Sequence, residues 1–326
     1  MAIFASLVVT AVGLILLAKM TTIFVDGASS IAKHLRVSAT VIGLTVVAFG
    51  ASASELFIVM TTRISESNSP DLAVGNIIGV GIMRILLVLG IAALIRPIRV
   101  NNSITKKEIP LLVLATCAFA ATFLDRILDG TAENMFTRTD ALLMLMIFGI
   151  FIFHLRTIIM HRRAVQSEED LDAVADIDMS KWKAMLAVFF GLIGLMIGAQ
   201  LTVAGAAAVA EGVGISERVV ALTIVSFGTA LPELVIALVA LRRGETALAI
   251  GSVIGANIFD IGFTMAISTL IFGGFSVASF TYVDLGMMVI AVLALAFFAS
   301  SDRKIKRSEG AIMLALFLAY MVYLAL

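Results

Sequence analysis

Four ionisable side chains stand deep inside long apolar stretches of this 326-residue chain: Glu55, Arg84, Glu233 and Asp260. A charge at the centre of a bilayer costs roughly 2.5 to 3.5 kcal/mol on insertion scales, so it persists where it has a partner or a task. Two or three carboxylates in an oxygen-rich site bind hard cations such as Ca²⁺ and Na⁺. No Cys or His joins the four, which argues against a Zn or Cu centre. A plain salt-bridge cluster is the competing reading. It is the weaker one, because desolvating buried ions can cost more than their attraction returns. Three carboxylates against one guanidinium also leave two negative charges over, to be balanced by bound cations or by protons.

The composition says where these residues sit. Hydrophobic residues make up 61% of the chain and charged ones 14%, with a mean hydropathy of +1.10. A soluble domain is nearer half apolar and a quarter charged. The chain therefore reads as an integral, multi-pass membrane protein, of the plasma or inner membrane if prokaryotic. A soluble enzyme, a nucleic-acid binder and a disordered protein are excluded. The lone Cys117 rules out a disulfide framework and reads as a small buried hydrophobe. An intramembrane aspartyl enzyme needs paired Asp residues, and only Asp260 is deep. A metal-dependent one needs a His-rich helix, whereas His34, His154 and His161 lie near loops. Neither a cofactor nor an obligate protein partner is called for; lipid and cations are the expected partners.

Spanning helices need about 20 mostly apolar residues. Ten stretches qualify, near 2–20, 37–62, 72–95, 107–125, 139–160, 183–206, 216–241, 246–270, 281–299 and 309–326. The odd-numbered loops and their flanks carry 18 of the 23 basic residues and the even-numbered loops four, Arg84 being the remainder. Basic residues collect on the cytoplasmic side, so both termini are expected outside. The loop 161–182 would then be cytoplasmic, its acidic run (Glu168 to Asp178) a solvated linker.

The chain repeats itself. Val41–Met60 and Val219–Leu238 match at nine of twenty positions, at an offset of 178. The match resumes at GNIIGVGIMRIL from Gly75 against GSVIGANIFDIG from Gly251. Residues 1–160 and 183–326 are thus two copies of five spans each. An odd number of spans turns one copy upside down relative to the other. Inverted repeats whose interrupted helices meet at mid-membrane are the architecture of many secondary transporters. Gly50-Ala-Ser-Ala-Ser and Gly228-Thr-Ala-Leu-Pro are the expected interruptions, since Gly and Pro free backbone carbonyls that lipid cannot satisfy. The expected fold class is all-α, with ten transmembrane helices as two inverted five-helix repeats, N-out and C-out. Spans one and six, rich in Gly and Ala (Gly194, Gly198, Gly205), are expected to slide across the rest.

At these residues the sequence resembles the sodium/calcium exchangers of the calcium/cation antiporter superfamily, in its prokaryotic form with a divergent first repeat. That family carries a G-T-S-x-P-E block and a G-S-N-I-F-[ND] block in each repeat. Here the second repeat reads Gly228-Thr229-Ala230-Leu231-Pro232-Glu233 and Gly255-Ala256-Asn257-Ile258-Phe259-Asp260. The first reads Gly50-Ala51-Ser52-Ala53-Ser54-Glu55 and Gly79-Val80-Gly81-Ile82-Met83-Arg84. The resemblance implies an antiporter working by alternating access, with Ca²⁺ and Na⁺ as transported ions. Glu55 and Glu233 would ligate the divalent ion, and Asp260 would line the position between them. Backbone carbonyls near Ala51, Thr229, Ala48 and Ser226 would add oxygens, and Ser52 and Thr229 would supply hydroxyls to flanking monovalent sites.

The departures fall on those flanking sites. Ala51, Ala230, Val80 and Ala256 stand where the family has hydroxyls, Ser54 where it has Pro, and Arg84 where it has Asn or Asp. An alkyl group does not coordinate Na⁺, so at least one flanking site should be weak or absent. Arginine stays protonated in proteins, which makes Arg84 a tethered cation and lowers the formal charge of the three ionised carboxylates to −2. That balances one divalent or two monovalent ions and implies a reduced exchange ratio. H⁺ in place of Na⁺, and an Arg84 that blocks divalent binding, are the alternatives.

Overall fold

The computed structural model describes residues 2–64, 70–125, 130, 134–162, 179–213, 228, 230–277 and 282–325. They form an all-helical membrane protein with two small β ribbons. Eight helical segments among the described residues are long and apolar enough to cross a bilayer. Of the other two expected spans, the fourth is a π turn, Ile104–Glu108, running into α6, Ile109–Ala121. Its charged start, Lys106-Lys107-Glu108, leaves a short apolar stretch. The seventh is described only as α9, Leu231–Arg242, and residues 214–227 lie outside the described set.

The first helix, α1 (Ala2–Leu35), does not stop near residue 20 but continues through Lys19, Asp26 and Gly27. Its 34 residues span roughly 51 Å at 1.5 Å per residue, well beyond the roughly 30 Å of a hydrocarbon core. Its repeat partner, α8 (Lys181–Gly212), is nearly as long. The two pack face to face through glycines. A Cβ on Gly13 would lie 2.5 Å from the Thr202 amide, and one on Gly198 would lie 2.7 Å from the Leu17 amide. Such contact needs hydrogen at both positions, and small residues are what bring spanning helices this close.

The centre is built from the second and third spans of each copy. The chain runs through α2 (Ala39–Ile42), a π turn at Gly43–Val47 and α3 (Ala48–Ile64). It then enters α4 (Pro70–Ile82), a π turn at Met83–Val88 and α5 (Leu89–Ile95). After the long α7 (Arg138–Arg162), the second copy repeats the last three as α10 (Thr246–Phe259), a π turn at Asp260–Thr264 and α11 (Met265–Phe272). The stretches Ala73–Ile95 and Thr246–Phe272 are the most enclosed, each 83% buried over its apolar window. The latter crosses the second span where Gly43, Gly251 and Gly255 let backbones meet; a Cβ on Gly255 would lie 2.7 Å from the Leu44 carbonyl.

One expectation is corrected here. Gly50–Ser54 is no interruption, because α3 runs unbroken through it. Ser54 keeps the backbone N–H that the proline of the other copy lacks, so the i→i+4 ladder can close. The irregularity falls earlier, at the π turn Gly43–Val47. In the second copy Gly228 is helical, Ala230 lies in a turn and α9 begins at Leu231 with Pro232 in its first turn, where proline's missing N–H costs nothing.

Two further helices, α12 (Tyr282–Ser301) and α13 (Arg307–Ala325), complete the chain. Strands β1 (Ile98–Arg99) and β4 (Lys304–Ile305) pair antiparallel, as do β2 (Asn134–Phe136) and β3 (Phe275–Val277). The first ribbon joins the third expected loop to the ninth, the second the fourth to the eighth. Each ribbon therefore ties the two copies together and joins loops of one parity. Cys117 is exposed on the outer face of α6 rather than buried.

Candidate functional site

The four deep ionisable residues converge, although they come from four separate segments. Glu55 projects from the middle of α3, Arg84 from the π turn after α4, Glu233 from the first turn of α9 and Asp260 from the π turn after α10. Arg84 and Asp260 occupy matching places in the two copies, and both sit where the helix widens by one residue. A π turn re-aims the side chains that follow it and is frequent at functional sites.

The guanidinium of Arg84 is fully buried, at 0% exposure, and touches all three acids. Its Nη2 lies 3.0 Å from Glu55 Oε1 and 3.0 Å from Glu233 Oε1, and its Nε is 3.3 Å from the same Glu233 oxygen. Its Nη1 donates to Asp260 Oδ2. One planar fork thus bridges three carboxylates, a geometry that arginine's several rigid donors allow and lysine's do not. Three of the six carboxylate oxygens lie outside these contacts, and two of them are left over. Glu233 Oε2 and Asp260 Oδ1 are buried and have no hydrogen-bond partner among the described residues. A buried acceptor without a partner costs about 1–3 kcal/mol. Both belong to the second copy.

The remaining expected residues divide. Ser52 is buried and donates to the Ala256 carbonyl at 3.2 Å, linking α3 to α10. Ala48 and Ala51 pack against Ala256 with Phe259 beside them, so an apolar patch lies where the family has hydroxyls. Their carbonyls belong to the regular helix α3, where the i+4 amides take them. The free carbonyls expected from a break there are therefore not exposed. Thr229 and Ser226 lie outside the described residues. Asn257 is buried over Gly81, whose Cβ would come 2.9 Å from the Asn257 Oδ1. Among the described residues no group of three or more acidic, His or Cys side chains is arranged to hold a metal ion; the Arg84 fork lies among the three acids.

Sequence reasoning missed a further buried acid, Glu245, in the turn between α9 and α10. Ser29 of α1 donates to both its oxygens, at 3.0 and 2.8 Å. The signal available was an acid and a serine facing each other from segments that read as separate spans. It missed Glu108 as well, fully buried at the start of α6, which takes a hydrogen bond from Ser103 at 2.9 Å and lies 3.4 Å from His154 Nε2.

Comparison with known proteins follows the same lines. The family model described as sodium/calcium exchanger protein matches residues 5–156 and 183–326. An uncharacterized membrane protein, MJ0091 of Methanocaldococcus jannaschii, is 37% identical over 94% of this chain and 93% of its own length. The sodium/calcium exchanger MaX1 of Methanosarcina acetivorans is 28% identical over 96% of each chain. The crystal structure of the sodium-calcium exchanger NCX_Mj, soaked with Na⁺ and Sr²⁺, superposes with a TM-score of 0.80 at 33% identity, over 98% of this chain and 99% of that one. With the model covering both copies and the likeness extending from end to end, the chain belongs to the sodium/calcium exchanger family.

Proposed function

We propose that this cation antiporter exchanges one divalent cation, Ca²⁺ first among them, for monovalent cations at a site built on Glu55, Glu233 and Asp260, with Arg84 as a built-in monovalent charge. Both ends of the chain would face outward, residues 1–160 and 183–326 being the two inverted copies and 161–182 the cytoplasmic linker. The observation that carries the reading is the bridging of all three carboxylates by one buried guanidinium, which leaves Glu233 Oε2 and Asp260 Oδ1 open. With the acids ionised, the four side chains sum to a formal −2, since arginine holds its proton. One divalent ion neutralises that sum, and so do two monovalent ions. Neutral loaded forms cross a low-dielectric barrier and a doubly charged empty one does not, so the cycle runs as exchange. Because Arg84 takes the place of one mobile monovalent ion, the exchange is two for one and moves no net charge.

Proton coupling is a second reading. It is supported by the Ala48–Ala51–Ala256 patch, which supplies no hydroxyl to a sodium ion. One experiment separates the two. Labelled Ca²⁺ uptake into proteoliposomes is measured under imposed Na⁺, K⁺ or pH gradients, for wild type, Glu55→Gln and Glu233→Gln. The proposal expects uptake driven by a Na⁺ gradient and lost in both variants. Uptake that follows only the pH gradient selects the second reading, and unchanged uptake in both Gln variants removes the site.

A further inference from the structure

Helices α9 and α10 form a hairpin whose open end carries the two second-copy acids, Glu233 in the first turn of α9 and Asp260 just past α10. Its closed end is the turn Arg243-Gly244-Glu245, made tight by Gly244 at φ 83°. Two polar contacts fasten this turn to α1. Asp26 pairs with Arg243, and Ser29 donates to both oxygens of Glu245, which is 2% exposed. Next to Ser29, Ser30 donates to the Met179 carbonyl at 3.3 Å, just before α8 begins. On the hairpin's other side Arg96 donates to the Leu241 carbonyl at 3.1 Å. Resting on the alternating-access reading above, we infer that Asp26 and Ser29 are gating residues. They latch α1 to the hairpin turn at one end of the molecule and so set which side the carrier prefers to open.

Three observations support this. The N-terminal part of α1 is peripheral: its apolar window is only 11% buried, against 83% for that of α10 and α11, whereas the part that carries the latch, with Phe24, Val25 and Ala28, is buried. The inner seam of the α1–α8 pair is made of glycines, and two polar contacts fasten it to the hairpin turn, so the pair can move as one body when the latch opens. The latch residues are also not repeated in α8. At the offset of 178, Ala204 and Ala207 of α8 stand where α1 has Asp26 and Ser29, and alanine can make neither bond. An inverted repeat would otherwise weight its two open forms equally; a fastening whose residues the matching positions of α8 do not repeat tilts that balance. Finally, α9 is one rigid rod of about 18 Å from Leu231 to Arg242. It joins the latch to Glu233, so a cation pulling on that carboxylate also pulls on the turn.

The test is a distance measurement, with sidedness as its second readout. Spin labels go on the exposed Trp182 of α8 and Arg99 of β1, as cysteines in a Cys117→Ala background, in nanodiscs. Wild type is expected to show one dominant distance. Asp26→Asn with Ser29→Ala should raise a second, longer population roughly ten- to hundredfold, the factor set by losing charge-assisted hydrogen bonds. The swapped pair Asp26→Arg with Arg243→Asp should restore the first. The half-saturating Ca²⁺ concentration should fall on the latch side and rise on the other, whereas loss of mere structural support weakens both sides together. An unchanged distance distribution in the folded double variant, or a swap that restores nothing, overturns the latch. If the distances shift while wild type moves no cation, the transport reading fails and the latch stands.

Discussion

At the scale of single residues, Arg84 is the point on which the site turns. Removing one partner from a buried ion cluster costs about 3–5 kcal/mol, because the remaining charges stay buried without compensation. Arg84→Asn leaves three carboxylates facing one another, so the variant should unfold at a lower temperature than wild type in chelator. A divalent ion should then return most of the loss, since a ligand at a hundred times its dissociation constant adds about 2.7 kcal/mol. The expected result is a larger Ca²⁺-induced rise in Tm for Arg84→Asn than for wild type; equal rises would mean that the guanidinium and the metal do not compete. The four charged residues were legible in the sequence because charge at membrane depth is rare. What was not legible was that a single fork would touch all three acids. That depends on the π turns at Met83–Val88 and Asp260–Thr264, and a one-residue widening leaves no mark on hydrophobic periodicity.

At the scale of elements, the close crossings carry the packing. A valine at Gly255 would drive its Cβ to 2.7 Å from the Leu44 carbonyl, a backbone atom that cannot swing aside. Overpacking of this kind costs about 1–3 kcal/mol, and Gly255→Val should lower Tm in detergent accordingly. Gly149, whose Cβ would meet nothing within 4 Å, is the control, and Gly149→Ala should leave Tm unchanged or raised. Most spans were readable from apolar length alone. The far end of α1 was not, because Lys19 and Asp26 read as the close of a span. Asp26 lies within the helix, paired with Arg243 more than two hundred residues later. The supposed break at Gly50 failed for the opposite reason: glycine permits an interruption, while proline enforces one, and only the second copy has the proline.

At the scale of the whole molecule, charge balance sets the thermodynamics of exchange. Moving one elementary charge across 100 mV is worth about 2.3 kcal/mol, which is roughly fiftyfold in an equilibrium ratio. Two-for-one exchange carries no net charge, so a potassium-diffusion potential of that size should leave the Ca²⁺ accumulation ratio of wild-type proteoliposomes unaltered. A three-for-one exchanger would shift it by the full factor, and that result would exclude Arg84 as a substitute for a mobile ion. The two β ribbons are the counterpart of this balance in the backbone. Each pairs a strand of one copy with a strand of the other, and neither includes α1 or α8.

The order in which the ribosome delivers the four charges has its own consequence. Glu55 and Arg84 emerge first, and their 3.0 Å pairing lets the leading half settle in lipid with its ions already matched. Glu233 and Asp260 arrive about 150 residues later without a cation of their own, each facing roughly 2.5 to 3.5 kcal/mol to enter alone. The nascent second half therefore depends on a guanidinium already waiting in the membrane. Synthesised by itself it should insert poorly, while the first half does not need its sequel.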